Sequence, residues 1–143
     1  MTQATTIAER LGVLIKETQA LLHQRMDERL RPLGLSVPQY ACLTALHDTP
    51  GITGSELARR TFVSRQSTNV LLQGLEKRGL IERSPDSGPR RERATELTPE
   101  ARSLLARART QVAGVADAMT ESLPAAELRQ LEALLARCRD GLR

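Results

Sequence analysis

The two ends of this chain show hydrophobic residues at helical spacing. Between residues 6 and 31 the apolar positions recur mostly three or four residues apart, which predicts a long amphipathic helix that Pro32 and Gly34 end. A second such helix is predicted from Pro99 to about Ser122, and a third begins at Pro124. Each of these helices carries one apolar stripe, formed by Ile7, Leu11, Leu14, Ile15, Leu21, Leu22, Met26 and Leu30 in the first, Leu104, Leu105, Ala108, Val112, Val115 and Met119 in the second, and Leu128, Leu131, Leu134, Leu135, Cys138 and Leu142 in the third.

The middle of the chain has shorter elements with clear start and stop signals. A helix is predicted from Ser36 until Thr49-Pro50-Gly51 breaks it. Thr53-Gly54-Ser55-Glu56 matches a reciprocal capping box and predicts a short helix to about Arg60. Ser64 is a natural N-cap for the next helix, whose core stripe is Thr68, Leu71, Leu72 and Leu75 and which Gly79 ends.

A β-hairpin is predicted after Gly79. Residues 80–83 and 93–97 give weak strand signals, and residues 84–89 have the composition of a turn. Two capped helices followed by a hairpin are the layout of a winged helix-turn-helix, which puts one helix into the major groove of DNA and a loop beside it. We therefore expect a mainly α fold with a small hairpin, in one domain spanning 1–143, with a winged core at about 36–97 flanked by dimerisation helices at about 6–31 and 99–142.

The charge distribution agrees with this interpretation. From Thr53 to Leu97 there are nine Lys or Arg and six Asp or Glu residues, so this segment holds +3 of the chain's formal net charge of +4. A basic segment of this kind suits binding to a polyanion such as double-stranded DNA.

The side chains opposite the core stripe of the helix that begins at Ser64 are candidates for reading DNA. Arginine pairs with guanine, asparagine and glutamine pair with adenine, and valine can contact a thymine methyl group. The candidates for base contacts are Arg65, Gln66, Asn69, Val70 and Gln73, and those for phosphate contacts are Ser64, Ser67 and Thr68. Arg90 and Arg91 in the hairpin loop can reach a minor groove or its phosphates. The alternative is that these are ordinary solvated surface residues.

The terminal apolar stripes predict a homodimer, because a winged core of this size is too small to cover all three and leaving them in water is costly. The alternative is a monomeric bundle in which these helices pack on the winged core.

No pattern of catalytic or metal-binding residues is evident. His23 and His47 lack partners at ligand spacing and are expected to be partly buried packing residues. Cys42 and Cys138 do not form a disulfide framework and are expected to be small core residues rather than redox sensors. No cofactor, metal, membrane span or secretory signal is predicted, so a non-enzymatic, cytoplasmic protein is expected.

With this layout, the chain resembles the multiple-antibiotic-resistance regulator (MarR) family of bacterial transcription factors. The resemblance rests on LSVPQYACLTAL (35–46), GITGSELARR (51–60), SRQSTNVLLQGLEKRGLIER (64–83) and ELTPEA (96–101). It implies a dimer with interlocked first and last helices, a recognition helix at about Ser64–Arg78 and a wing at about Ser84–Arg93. The chain departs from the family pattern at Pro89, where the family usually has an acidic residue, and at Thr68, where it usually has an apolar one.

The functional hypothesis is therefore a sequence-specific, dimeric transcriptional repressor that a ligand releases from a pseudo-palindromic operator. The resemblance implies a pocket between the dimer helices and the winged core, for a small apolar or aromatic ligand. The alternative is a winged-helix module that binds another protein and has no specific DNA site.

Overall fold

The computed structural model describes residues 4–87 and 93–143, and these form six α-helices, a short 3-10 turn and one antiparallel hairpin. The mainly α fold with a small hairpin is confirmed. The elements are α1 (Ile7–Leu30), the 3-10 turn (Arg31–Leu33), α2 (Val37–Asp48), α3 (Gly54–Thr61), α4 (Arg65–Lys77), β1 (Ile81–Ser87), β2 (Arg93–Leu97), α5 (Pro99–Met119) and α6 (Ala125–Asp140).

The first turns of the helices are fixed by side-chain caps. Reciprocal capping boxes start α1 at Thr6 and α2 at Ser36. At α3 the structure shows one half of the predicted box: the Thr53 hydroxyl accepts the Glu56 N–H at 3.1 Å. That one bond already satisfies an N–H group that the first helical turn leaves free, so the helix begins where the sequence predicts.

The hydrophobic core lies where α2, α3, α4, the hairpin and the first half of α5 meet. Leu43, Leu57, Leu75, Ile81 and Leu105 are at most 2% exposed and come from five different elements. The core therefore joins the helix-turn-helix of α3 and α4 to the hairpin and to α5 as one packed unit.

The outer parts of the terminal helices are exposed in a single protomer. Residues 4–21 are all exposed, and α6 contains no buried residue. Ile7 is 76% and Leu14 58% exposed. The alternative of a monomeric bundle therefore holds only for α5, whose Leu105 and Ala108 are buried in the core, and is wrong for α6 and the first part of α1, whose stripes remain open.

Three smaller predictions were also wrong. Cys138 is exposed because it lies on the open stripe of α6, whereas Cys42 is buried as predicted. His23 and His47 are exposed rather than partly buried, since both lie on outward helix faces.

Among the described residues, no helix is long and apolar enough to cross a membrane.

The first strand of the hairpin is longer than predicted. Residues 84–87 were expected to turn, but β1 continues to Ser87, which pairs with Arg93. The pairing is irregular between Arg83 and Ser87, a stretch that contains Pro85. A proline is tolerated in a strand at such an irregularity because it has no N–H to donate to the ladder.

Candidate nucleic-acid interface

The N-terminal end of α4 is an open, capped helix start. The Ser64 hydroxyl accepts the Ser67 N–H at 3.0 Å and lies 2.9 Å from the Ser67 hydroxyl. The first turn of α4, all of which the structure describes, carries no acidic residue. The positive end of the helix dipole is therefore open to an anion.

The outward face of α4 is exposed as predicted. Every side chain that the sequence nominates for base contacts is exposed, and so are the two serines that cap the helix: Ser64, Arg65, Gln66, Ser67, Asn69, Val70 and Gln73. Gln66, Val70 and Gln73 follow one another at i, i+4 and i+7 and so form one line along the helix. The face is thus a polar surface with one apolar residue, Val70, at its centre.

Thr68 does not belong to this surface. It is 0% exposed, and its hydroxyl donates to the Ser64 carbonyl oxygen at 2.9 Å. The predicted phosphate contact of Thr68 is therefore wrong. The hydroxyl is tolerated at a position facing the core because it finds a backbone acceptor one turn earlier in its own helix.

The packing of α4 fixes the direction of its outward face. Leu72 and Leu75 are 3% and 0% exposed and anchor the opposite face in the core. At the C-terminal end, the Arg78 guanidinium donates to the Gly34 carbonyl oxygen at 2.7 Å. Arg78 contributes to the basic excess of this segment, but it also ties α4 to the turn that follows α1.

A further residue at this surface was not identified from the sequence. Phe62 lies between α3 and α4 with φ at 57° and is 93% exposed. It is the one phenylalanine of the chain. An aromatic residue between two predicted helices in a chain so poor in aromatics was a signal that could have pointed to it.

The wing is described only at its base. Its strands bring Ser87 opposite Arg93. Arg90 and Arg91, the predicted contacts of the wing, lie outside the described residues, and their role remains a prediction.

A cavity of about 400 Å³ lies where the end of α1 meets the helix-turn-helix. Its lining includes Met26, Tyr40, Thr44 and Arg60, which come from α1, α2 and α3. The Thr44 hydroxyl oxygen is buried and has no hydrogen-bond partner among the described residues. The Arg60 guanidinium also donates to the Thr49 hydroxyl at 2.7 Å.

A second, larger groove of about 570 Å³ runs between α1 and α5 and is lined by Leu21, Leu22, Val115 and Met119 among others. In the part of the chain that the structure describes, no group of three or more His, Cys, Asp or Glu side chains could hold a metal ion.

Known proteins match both the sequence and the fold. A family model described as "MarR family" matches residues 33–92. The transcriptional repressor Rv2887 of Mycobacterium tuberculosis is 32% identical over 125 residues, which cover 87% of this chain and 90% of that protein. A crystal structure of Rv2887 in complex with p-aminosalicylic acid is 31% identical, with a TM-score of 0.74 over 90% of this chain and 97% of that one.

Another structural neighbour was solved in complex with DNA. The repressor CouR of Rhodococcus jostii, bound to a 23-mer DNA duplex, is 28% identical, with a TM-score of 0.83 over 97% of this chain and 99% of that one.

Proposed function

The chain belongs to the MarR family of transcriptional regulators, and from that premise we propose that it is a dimeric, sequence-specific DNA-binding repressor that a small molecule releases from its operator. The observation that carries the proposal is the outward face of α4. A capped helix without an acidic first turn presents arginine, asparagine and glutamine side chains, while its other face is locked in the core. We place its action in the cytoplasm, where the chromosome of a bacterium lies.

The side chains of α4 divide the contacts between bases and backbone. Arg65 suits a guanine edge, and Gln66, Asn69 and Gln73 suit adenine edges. Ser64 and Ser67 lie at the helix start and suit phosphates, which fix the register of the helix in the groove. We propose Arg90 and Arg91 as further contacts to the backbone or the minor groove beside the recognition helix.

The dimer doubles this interface. MarR proteins are dimers, and the exposed stripes of α1 and α6 provide the apolar surface that a second copy would bury. We therefore propose the organisation predicted from the sequence, with the winged core at about 36–97 and dimerisation helices at about 6–31 and 99–142. A two-fold dimer requires a pseudo-palindromic operator with half-sites about one helical turn apart.

The cavity beside α1 is our proposed ligand site. It touches both a terminal helix and the helix-turn-helix, so a ligand bound there could change how α3 and α4 sit relative to the dimer helices. Its apolar walls, the unpartnered Thr44 hydroxyl and the Arg60 cation suit a small aromatic acid, the class to which the p-aminosalicylic acid bound by Rv2887 belongs. Asp48 also lines the cavity, and its carboxylate is paired with Arg109 at 2.7 Å.

Footprinting on the DNA upstream of the protein's own gene tests the repressor proposal. We expect a protected pseudo-palindrome and an affinity that falls steeply with salt. Arg90→Ala and Arg91→Ala should weaken binding to operator and random DNA alike. Each should also lower the slope of log K against log salt by about one for every phosphate that the protein no longer neutralises. Absence of any sequence-specific footprint would favour the alternative, a module that binds a protein.

The ligand site is tested with p-aminosalicylic acid as the probe. We expect p-aminosalicylic acid to release the wild-type protein from its operator. The Thr44→Val variant, which keeps the shape of the side chain but lacks the hydroxyl, should need a higher concentration of the acid for the same release. Equal release from both proteins would show that Thr44 does not contact the ligand.

A further inference from the structure

Phe62 and Val70 are two exposed apolar residues in an otherwise polar surface. Within the described part of the winged core they are the large hydrophobic side chains with high exposure, at 93% and 63%. The other large hydrophobic residues that are exposed lie on α1, α5 and α6 or close to the C-terminus, where a second copy would cover them. Phe62 lies in the turn before α4 and Val70 lies on α4, the helix that we assign to DNA. Their partner is therefore expected to be DNA rather than a second copy of the chain.

Phenylalanine is also an unusual residue for the backbone conformation found at position 62. Its φ of 57° lies in the left-handed region, which glycine and asparagine adopt at lower cost than a bulky residue. The side chain packs against almost nothing in the protomer, so it does not repay that cost by burial in the core. An aromatic residue held in an unfavourable conformation at the surface points to a role in binding.

The position of Phe62 in the chain places it beside the groove that α4 would enter. It caps α3 and lies two residues before Ser64, the N-cap of α4. In helix-turn-helix proteins the N-terminal residues of the recognition helix contact base edges. A side chain in the turn just before that helix therefore lies at the end of α4 that meets DNA. The major groove offers one apolar group, the methyl group of thymine, which phenylalanine can contact.

We infer that Phe62 packs against a thymine methyl group in each operator half-site and so selects a thymine that the polar residues of α4 do not read. This inference rests on the proposed function, in which α4 enters the major groove. Val70, at the centre of the outward face, contacts a separate thymine further along the half-site. The two apolar side chains together give each half-site a preference at two positions, in addition to the hydrogen bonds from α4.

Uracil lacks only the methyl group of thymine, and this allows a double-mutant cycle. The operator defined by footprinting is synthesised with each thymine of a half-site replaced in turn by uracil, symmetrically in both halves. For wild-type protein, uracil at the Phe62 contact should weaken binding by about fourfold per half-site, the factor that corresponds to burial of one methyl group. For Phe62→Asn the same uracil should have no effect, whereas the penalty at the Val70 contact should persist.

Two variants control for the fold. Asparagine suits the left-handed conformation, so Phe62→Asn should have an unchanged or higher melting temperature while its affinity for the operator falls. Phe62→Leu keeps an apolar side chain and should retain most of the discrimination between thymine and uracil. The slope of log K against log salt should stay the same in both, because no charge is removed.

The outcomes separate the inference from the proposed function. If wild-type protein binds the operator specifically but Phe62→Asn keeps every uracil penalty, the thymine contact is refuted and the repressor proposal stands. If Phe62→Asn weakens the dimer in sedimentation and the uracil penalties do not change, Phe62 faces a second copy of the chain and the inference is wrong. If wild-type protein does not distinguish its operator from random DNA, both proposals fail.

Discussion

The apolar stripe of α6 gives the sharpest test of dimerisation, with Leu131 as the residue to change. Leu131 is 42% exposed in one protomer. Full burial of a leucine side chain is worth about 1.5–3 kcal/mol, so covering the remaining surface is worth about 1 kcal/mol per protomer, or about 2 kcal/mol per symmetric dimer. Leu131→Ala should therefore raise the dimer dissociation constant by about thirtyfold.

A charge at this position should have a larger effect. Leu131→Glu removes the same apolar side chain and also forces a carboxylate out of water, which costs more than removal of the methyl groups. Ala133→Glu is the matched control, because it adds the same charge about 200° around the same helix, on the face opposite the stripe. Ala133 is exposed, and its substitution should leave the dimer intact.

Sedimentation velocity over a concentration series measures the effect. We expect wild-type protein and Ala133→Glu to sediment at micromolar concentration as dimers of about twice the 15.8 kDa chain, with Leu131→Glu monomeric. Circular dichroism should show that Leu131→Glu keeps at least the helix content that α2–α5 contribute. A well-folded wild-type monomer, or equal behaviour of Leu131→Glu and Ala133→Glu, would refute the assignment of this stripe to the dimer interface.

Three other predictions follow from buried or helical positions. Thr68→Val should leave DNA affinity unchanged, since Thr68 is buried and the Ser64 carbonyl oxygen still accepts the Thr68 N–H at 2.9 Å. A loss of affinity for operator and random DNA alike would restore the phosphate contact that we exclude. Gly74→Ala should raise the free energy of unfolding by about 0.5–1 kcal/mol in a denaturant titration, because an added Cβ meets nothing within 4 Å; destabilisation would mean that α4 is packed more closely there. Burial raises the pKa of the Cys42 thiol to about 11, so its thiolate forms only as the pH approaches that value. Cys42→Ser should therefore not change the response of DNA binding to peroxide. Cys138→Ser should not change it either if a second copy of the chain covers Cys138. Loss of a peroxide-triggered release in either serine variant would contradict this.

The order of the elements could be predicted from the sequence because the signals are local. Caps such as Thr53 and Ser64, the glycine stop at Gly79 and the periodic leucines act within a few residues, and each helix begins close to its predicted start. The outward face of α4 was predicted for the same reason, because its core stripe sets its direction.

The errors arose where three-dimensional context decides. Thr68 was assigned to DNA because it is polar, but its hydroxyl bonds to the Ser64 carbonyl and the residue is buried. Cys138 was assigned to a core because it follows a leucine stripe, but one protomer has nothing to cover that stripe. Phe62 was overlooked because no periodic pattern marks a left-handed residue in a turn.

The central claim is that α4 reads bases, and Arg65→Ala tests it most directly. Its affinity should be measured on the operator and on random duplex DNA over a salt series, with Arg129→Ala, an exposed arginine on α6, as the control. We expect Arg65→Ala to cost about 1–3 kcal/mol per half-site on the operator and much less on random DNA, and Arg129→Ala to change neither. An equal loss of affinity on both DNAs, or no loss on either, would contradict the claim that α4 is the helix that reads the operator sequence.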